Sequence, residues 1–148
     1  DFPATPPEPC EAPPGLLNAL GVGHIQVYRS RFDYLVEVPS ETELRHLQPD
    51  HGALRSLGVR GVMVTAKCDG VFDVVSRFFA PGAGIDEDPV TGSAHCCLGP
   101  YWAEKLGKTT LRCFQASERG GVVRVKVVGD RVLLQGQAVT VLRGELLW

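Results

Sequence analysis

Three acidic residues stand in the middle of the chain, shortly before a run of small residues. Residues 86–88 read Asp-Glu-Asp, and residues 91–94 read Thr-Gly-Ser-Ala. Carboxylates can hold and transfer protons, and the first N–H groups of a helix lack internal acceptors and carry partial positive charge. If a helix begins at the small residues, the segment combines an acid with a site for an anion. We therefore expect the chemistry of the protein to lie here.

The neighbouring residues predict the elements that would position this segment. An apolar strand precedes it and stops at Pro81, and glycines then allow the backbone to turn. Residues 92–106 are rich in Ala, Cys, Leu and Trp and predict a helix that is apolar on nearly every side, hence buried. Pro100 removes one amide and predicts that this helix is kinked or split after two turns.

The same segment resembles a family signature. Residues 87–94, Glu-Asp-Pro-Val-Thr-Gly-Ser-Ala, follow Arg-Phe-Phe-Ala-Pro at residues 77–81, and together they are similar to the signature of the phenazine biosynthesis PhzF-like family. The similarity runs from residues 1–4 through residues 115–121 to the last strands, so it covers essentially the whole chain. A complete family member has two similar halves that face each other across a cleft, and this chain resembles the C-terminal half.

The resemblance implies roles for individual residues. It makes Asp88 the catalytic acid, which holds and polarises substrate and takes part in proton transfer. It makes the backbone amides of Gly92 and Ser93 the binding site for the substrate's carboxylate, with Thr91 beside them, although Thr91 and Ser93 could also be simple caps. From its position one residue past the small residues, His95 could face the cleft as an acid or a second anion contact. From the residues alone, Asp88 could instead be a helix cap, and His95 could be satisfied by local hydrogen bonds in the first helical turn.

The resemblance also implies an activity. It indicates a cofactor-independent isomerase that moves a proton on a small carboxylate substrate, with a glutamate from the N-terminal half as general acid/base. That half is absent here, so we expect the chain alone to be inactive or nearly so. The alternative is a non-catalytic domain that binds a small carboxylate or a protein partner.

Other chemistries are disfavoured. No motif places a histidine and a carboxylate beside Ser93 as in a serine hydrolase. The acidic run at residues 86–88 lacks the spaced oxygen ligands of a calcium loop, and no metal site is predicted. No thiol occurs before Cys96 in the region where diaminopimelate epimerase, to which the family is related by fold, carries a catalytic cysteine; this argues against a two-thiol racemase.

The predicted fold is α+β, in one domain. Residues 1–14 hold six prolines and are predicted to be an extended connector, followed by a C-terminal PhzF-like domain at residues 15–148. Four strands are predicted after the buried helix, at 109–115, 121–128, 131–135 and 138–142. Many strands and one apolar helix predict a mostly antiparallel sheet rolled into a barrel around that helix, and the resemblance to the diaminopimelate epimerase-like fold implies the same.

Composition narrows the partners and the compartment. The net charge is −2 and the basic residues are scattered, so no nucleic acid is expected. Apolar runs are far shorter than a membrane span needs, so no membrane is expected. Five cysteines without regular spacing indicate a reducing, cytoplasmic protein, and Cys96 and Cys97 are predicted to be buried thiols. The absent half would leave apolar surface exposed, which predicts self-association as a homo-oligomer.

Overall fold

Nine strands form one sheet in a computed structural model that describes residues 1–146. The order across the sheet is β1-β9-β8-β7-β6-β5-β4-β3-β2. The strands are β1 (Phe2–Pro3), β2 (Glu8–Cys10), β3 (Val27–Arg29), β4 (Asp33–Glu37), β5 (Gly61–Lys67), β6 (Val74–Phe79), β7 (Thr110–Gln115), β8 (Gly121–Val128) and β9 (Arg131–Gln135). The α+β class predicted from the sequence is confirmed.

Four α-helices accompany the sheet, and their ends follow the local sequence signals. They are α1 (Leu16–Leu20), α2 (Glu41–His46), α3 (His51–Arg55) and α4 (Gly92–Leu106). Ser40 caps α2 by accepting from the amide of Glu43, and Asp50 caps α3 in the same way. Gly21 ends α1 with a φ of 72°, a backbone conformation that glycine adopts without strain.

The sheet is mixed and open, so the predicted closed barrel is wrong. The β4–β5 and β6–β7 pairs are parallel, and the remaining neighbours are antiparallel. The two edge strands, β1 and β2, are not paired with each other. Each of these short strands contains a proline, Pro3 or Pro9, which has no N–H to donate to a further strand.

The two parallel pairs explain why helices cover both faces. The connection from β4 to β5 carries α2 and α3, and the connection from β6 to β7 carries α4. Both move the same way across the sheet, but β4 and β6 point in opposite directions, so right-handed crossovers lie on opposite faces. One buried cluster accordingly unites α1, α2 and α3 with the sheet, and a second unites α4 with strands β4 to β9.

Helix α4 is buried, as predicted, and lies closely against the sheet. Its buried residues run from Ala94 through Trp102. A side chain at Gly99 would place its Cβ 2.8 Å from Val125, so only glycine allows this approach without displacing the strand. The helix packs against buried residues of six strands, β4 to β9, on one face of the open sheet.

Pro100 does not divide α4, which runs unbroken from Gly92 to Leu106. A proline at position 100 cannot donate to the carbonyl of Cys96, four residues earlier. The backbone N–H of Thr5 donates to that carbonyl instead, at 3.0 Å. The N-terminal segment therefore supplies the hydrogen bond that the proline removes, which explains why a buried helix tolerates it.

Two further regions differ from the sequence prediction. Residues 1–14, predicted as a connector, contribute β1 and β2 to the edges of the sheet. The strand predicted at residues 138–142 is absent: these residues have no regular structure and are exposed. Alternation of apolar residues identified a segment suited to a strand, but no neighbouring strand pairs with it within residues 1–146.

In the same residues no helix has the length and apolar character that crossing a membrane requires.

Candidate functional site

The three carboxylates that adjoin one another in sequence have separate partners in the structure. After β6, a short 3-10 turn at Pro81–Ala83 leads into the acidic loop. The Asp86 carboxylate lies 3.7 Å from the Arg55 guanidinium at the surface. Glu87 is paired with Arg77, and Asp88 turns toward the start of α4. The loop is thus held at successive points rather than strained by crowded charge.

The ion pair between Arg77 and Glu87 anchors the loop to the body of the domain. Both hydrogen bonds of this bidentate pair are 2.8 Å long, and the side chains are only 13% and 20% exposed. Arg77 also donates to the carbonyl of Leu47 at 2.8 Å and lies over the ring of Phe79. The residue before Asp88 is therefore fixed to β6 and to the end of α2.

Asp88 is held at both its backbone and its side chain. Its N–H donates to the carbonyl of Phe78 at 3.0 Å, and its carboxylate accepts a hydrogen bond from the hydroxyl of Thr91. Thr91 is the N-cap residue of α4 and makes no side-chain cap. The half-buried Asp88 carboxylate is thus bonded to a side chain three residues away and does not cap the helix.

Gln115, at the end of β7, joins the two parts of the site and was given no role from the sequence. Its side chain is fully buried. The carbonyl oxygen accepts from the amide of Thr91 at 2.8 Å, and the Nε2 group donates to the carbonyl of Asp88 at 2.6 Å and to the Thr91 hydroxyl at 3.1 Å. The family resemblance includes residues 115–121, but it assigned no contact to this glutamine, and its residue type alone carries no sequence signal.

The amides of Gly92 and Ser93 lie at the exposed start of α4. Both residues are exposed, whereas Thr91 before them and Ala94 after them are buried. As the first residues of a helix, they have no intrahelical acceptors for their N–H groups, which point along the axis away from the helix. The start of α4 therefore exposes two backbone N–H groups with partial positive charge, and Asp88 lies on the loop that leads into it.

The structure places Thr91 and His95 behind this exposed surface. Both are buried, and His95 is fully so. The amide and hydroxyl of Thr91 are already engaged by Gln115 and Asp88. The Nδ1 atom of His95 lies 2.7 Å from the carbonyl oxygen of Thr91, and burial lowers the pKa of the imidazole. His95 therefore makes a local hydrogen bond in the first helical turn, which was the alternative to a contact with substrate.

A second loop, residues 116–120, packs on the acidic loop. The hydroxyl of Ser117 donates to the carbonyl of Pro89 at 2.8 Å and accepts from the amide of Gly120 at 3.1 Å. A Cβ at Gly121 would lie 2.3 Å from the side chain of Val90, so glycine is required for this contact.

Two grooves border these paired loops. One, of about 420 Å³, runs past Glu87 and Ser117, and the other, of about 670 Å³, passes Gly92 and the start of β8. Arg119 lines both and is exposed. A guanidinium beside the helix start favours an anionic ligand there.

The cysteines are free and the thiols of the core are inert. Burial raises the pKa of both Cys97 and Cys113 to about 12, so neither is a thiolate near neutral pH. Cys96 and Cys97 are both buried, as predicted. Among residues 1–146 no three His, Cys, Asp or Glu side chains are grouped so as to hold a metal ion.

Comparison with known proteins connects this chain to a family. The family described as phenazine biosynthesis-like protein matches residues 18–144. An uncharacterized isomerase of Halalkalibacterium halodurans is 50% identical over 99% of this chain, and one of Pseudomonas aeruginosa is 49% identical over 99% of it. The crystal structure of a PhzF-family protein of Enterococcus faecalis superposes with a TM-score of 0.84 at 40% identity and covers 90% of this chain.

The relatives are longer than this chain. The chain spans 56% of each of the two bacterial isomerases and 51% of the Enterococcus faecalis structure. Almost all of this chain is thus matched by about half of each relative.

Proposed function

The chain belongs to the phenazine biosynthesis-like protein family, and on that premise we propose that it forms one wall of the active site of a cofactor-independent isomerase. The proposed reaction transfers a proton on a small carboxylate substrate. The observation that carries the proposal is the hydrogen bond from the Thr91 hydroxyl to the Asp88 carboxylate, because Thr91 directly precedes the exposed residues Gly92 and Ser93.

In the proposed site, backbone amides bind the substrate and a separate side chain takes part in proton transfer. The substrate's carboxylate accepts from the amides of Gly92 and Ser93, where the helix dipole favours negative charge. Arg119 borders the same groove and adds attraction for the anion. Asp88 then holds and polarises the substrate and takes part in the proton transfer, while its hydrogen bond from Thr91 fixes the orientation of the carboxylate.

An isomerisation of this kind needs a second acid/base group. A proton leaves one substrate carbon, is held by a base, and returns to another carbon, so the substrate is neither oxidised nor reduced. We propose that a glutamate from the part of the relatives that this chain does not span supplies that group. On this account the 148-residue chain alone has little or no turnover, because one wall cannot position both groups.

One feature favours the alternative of a binding domain without turnover. Of the five site residues predicted from the sequence, only Asp88 and His95 have an acid/base side chain, and His95 is fully buried. If nothing faces this wall, the site retains a carboxylate pocket but lacks a second proton carrier.

A two-part experiment separates these functions. Small cyclic and aromatic carboxylates are titrated into the ¹⁵N-labelled chain, and incorporation of deuterium from D₂O into the same compounds is followed by mass spectrometry. The second assay also uses the chain joined to the first half of the Halalkalibacterium halodurans isomerase. We expect shifts of the Gly92 and Ser93 amides, with deuterium incorporation only by the joined protein. Binding without incorporation in either protein would favour the binding domain, and the absence of amide shifts would contradict both functions.

A further inference from the structure

The two peptide groups that flank Thr91 are each hydrogen-bonded to a buried side chain. The first group contains the N–H of Thr91, which donates to the Gln115 side chain at 2.8 Å. The second contains the carbonyl of Thr91 and the N–H of Gly92, and its oxygen lies 2.7 Å from Nδ1 of His95. Both side chains are fully buried, so neither bond competes with bulk water.

The contact with Thr91 determines which nitrogen of His95 carries the proton. A carbonyl oxygen can only accept, so Nδ1 must be the donor. Burial lowers the pKa of this imidazole, which is therefore neutral near pH 7, and Nε2 is left without a proton. Within residues 1–146, Nε2 has no hydrogen-bond partner. The one hydrogen bond that the imidazole of His95 makes there is thus directed at the Thr91–Gly92 peptide.

That bond acts on the Gly92 amide through covalent geometry. The carbonyl of Thr91 and the N–H of Gly92 belong to one planar group, so holding the oxygen also holds the direction of the N–H. A hydrogen bond accepted by the oxygen polarises the peptide and makes its N–H a better donor. Gly92 has no side chain of its own to direct this N–H, so the bond to the Thr91 carbonyl adds to the restraint that the helix itself provides.

We infer that His95 and Gln115 are positioning residues for the carboxylate site, which aim the Gly92 amide without touching the ligand. The inference rests on the proposed function for the identity of the ligand, but not for the restraint itself. Gln115 contributes a second effect, because the same amide group holds the carbonyl of Asp88 at 2.6 Å. One side chain thereby ties the acid to the helix start.

Two substitutions of His95 separate the hydrogen bond from the volume of the ring. In His95→Asn, the side-chain nitrogen is joined through Cβ and Cγ as Nδ1 is in histidine, so a donor is retained in nearly the same place. In His95→Leu, the site is filled without a donor. A matched control is Trp102→Phe, which removes a buried N–H bond of 3.0 Å to Thr65 farther along the same helix.

The first measurement is the ¹⁵N order parameter of the Gly92 amide without ligand. We expect a value near the rigid limit of about 0.85 in the wild type, in His95→Asn and in Trp102→Phe, and a clear fall toward about 0.6 in His95→Leu. An unchanged order parameter in His95→Leu, or an equal fall in Trp102→Phe, would overturn the inference. This result does not depend on any ligand and so is distinguishable from failure of the proposed function.

The second measurement is the affinity for benzoate, followed by the amide shifts of Gly92 and Ser93. Loss of the restraint should weaken binding about tenfold in His95→Leu, with His95→Asn and Trp102→Phe within about twofold of wild type. Equal weakening in His95→Leu and Trp102→Phe would overturn the inference. If His95→Leu does not fold, the Nδ1 resonance of His95 in the wild-type chain is followed during the benzoate titration instead. We expect this resonance to shift as benzoate binds. A shift of the Gly92 amide without a shift of Nδ1 would overturn the inference. If none of the small carboxylates shifts the Gly92 and Ser93 amides but Gly92 loses order in His95→Leu, the positioning role stands and the proposed function fails.

Discussion

Arg77 and Glu87 show how a charged loop is held rigid beside an active-site candidate. The pair is mostly buried, bidentate and completed by the carbonyl of Leu47, so removal of one partner leaves a charge without compensation. The neighbouring Asp88 owes its position to this pair as much as to its own hydrogen bonds.

We predict that Glu87→Gln lowers the free energy of unfolding by about 3 kcal/mol, because the Arg77 guanidinium stays buried without its counter-charge. Chemical denaturation measures the change. The control is Lys67→Gln, which breaks the exposed pair with Asp69 and should cost less than about 0.5 kcal/mol. Equal losses in the two variants would show that the Glu87 pair is no more than a surface contact.

The buried His95 predicts a pH dependence of stability. Burial lowers its pKa below the ordinary value of 6.5, so the unfolded chain takes up a proton at this residue before the folded chain does. Stability from this group is complete above pH 6.5 and declines as pH falls below it, with a slope on the order of 1 kcal/mol per pH unit.

The difference in unfolding free energy between wild type and His95→Asn isolates this contribution, since every other titrating group is common to both. Measured between pH 7.5 and 5, that difference should shift in favour of His95→Asn as the solution becomes more acidic. A difference that does not vary with pH would contradict a neutral, buried imidazole.

At the scale of elements, the N-terminal segment and α4 depend on each other. Thr5 donates to the carbonyl that Pro100 leaves without a helical partner, and β1 pairs with β9 beside the same helix. The N-terminal segment, whose composition predicts a connector, therefore stabilises the buried helix α4.

Thr5→Pro should destabilise the domain by about 1–3 kcal/mol, because the buried carbonyl of Cys96 loses its donor. Thr5→Ala keeps the backbone N–H and should change stability by less than about 0.5 kcal/mol. Thermal unfolding of the two variants provides the comparison. A loss in Thr5→Ala that matches the loss in Thr5→Pro would assign the effect to the side chain instead.

Local patterns predicted the elements well and their assembly less well. The apolar helix predicted after residue 91 is confirmed, and the caps at Ser40 and Asp50 and the end of α1 at Gly21 likewise depend on neighbours in sequence. Closure of the sheet depends on which strands pair, and the alternation of residues does not encode that. The strand predicted at residues 138–142 failed for the same reason, because a strand needs a partner.

In the candidate site, too, the residues that depend on neighbours in sequence could be predicted, and those that depend on tertiary packing could not. The segment from Asp88 to Ser93 was visible because its residue types adjoin one another. Gln115 was not, since its contacts with Asp88 and Thr91 cross 24 residues or more and arise only when β7 is placed beside the loop. The burial of His95 likewise follows from the packing of α4 and not from its own neighbours.

At the scale of the whole molecule, the chain presents an acid and a helix start at its surface, bordered by open grooves. Its relatives are nearly twice as long and are named isomerases without a stated substrate. The central proposal is that this surface is one wall of a proton-transfer site whose second acid/base group corresponds to the part of the longer relatives that this chain does not span.

The most direct test is deuterium incorporation from D₂O into a bound carboxylate by the joined two-half protein, with Asp88→Asn compared against Asp86→Asn. We predict that Asp88→Asn lowers the rate at least about a hundredfold with little loss of stability, because it removes a group that takes part in proton transfer. Asp86→Asn alters a carboxylate at the surface and should leave the rate within about twofold of wild type. Full incorporation by Asp88→Asn, or by the 148-residue chain alone, would contradict the account.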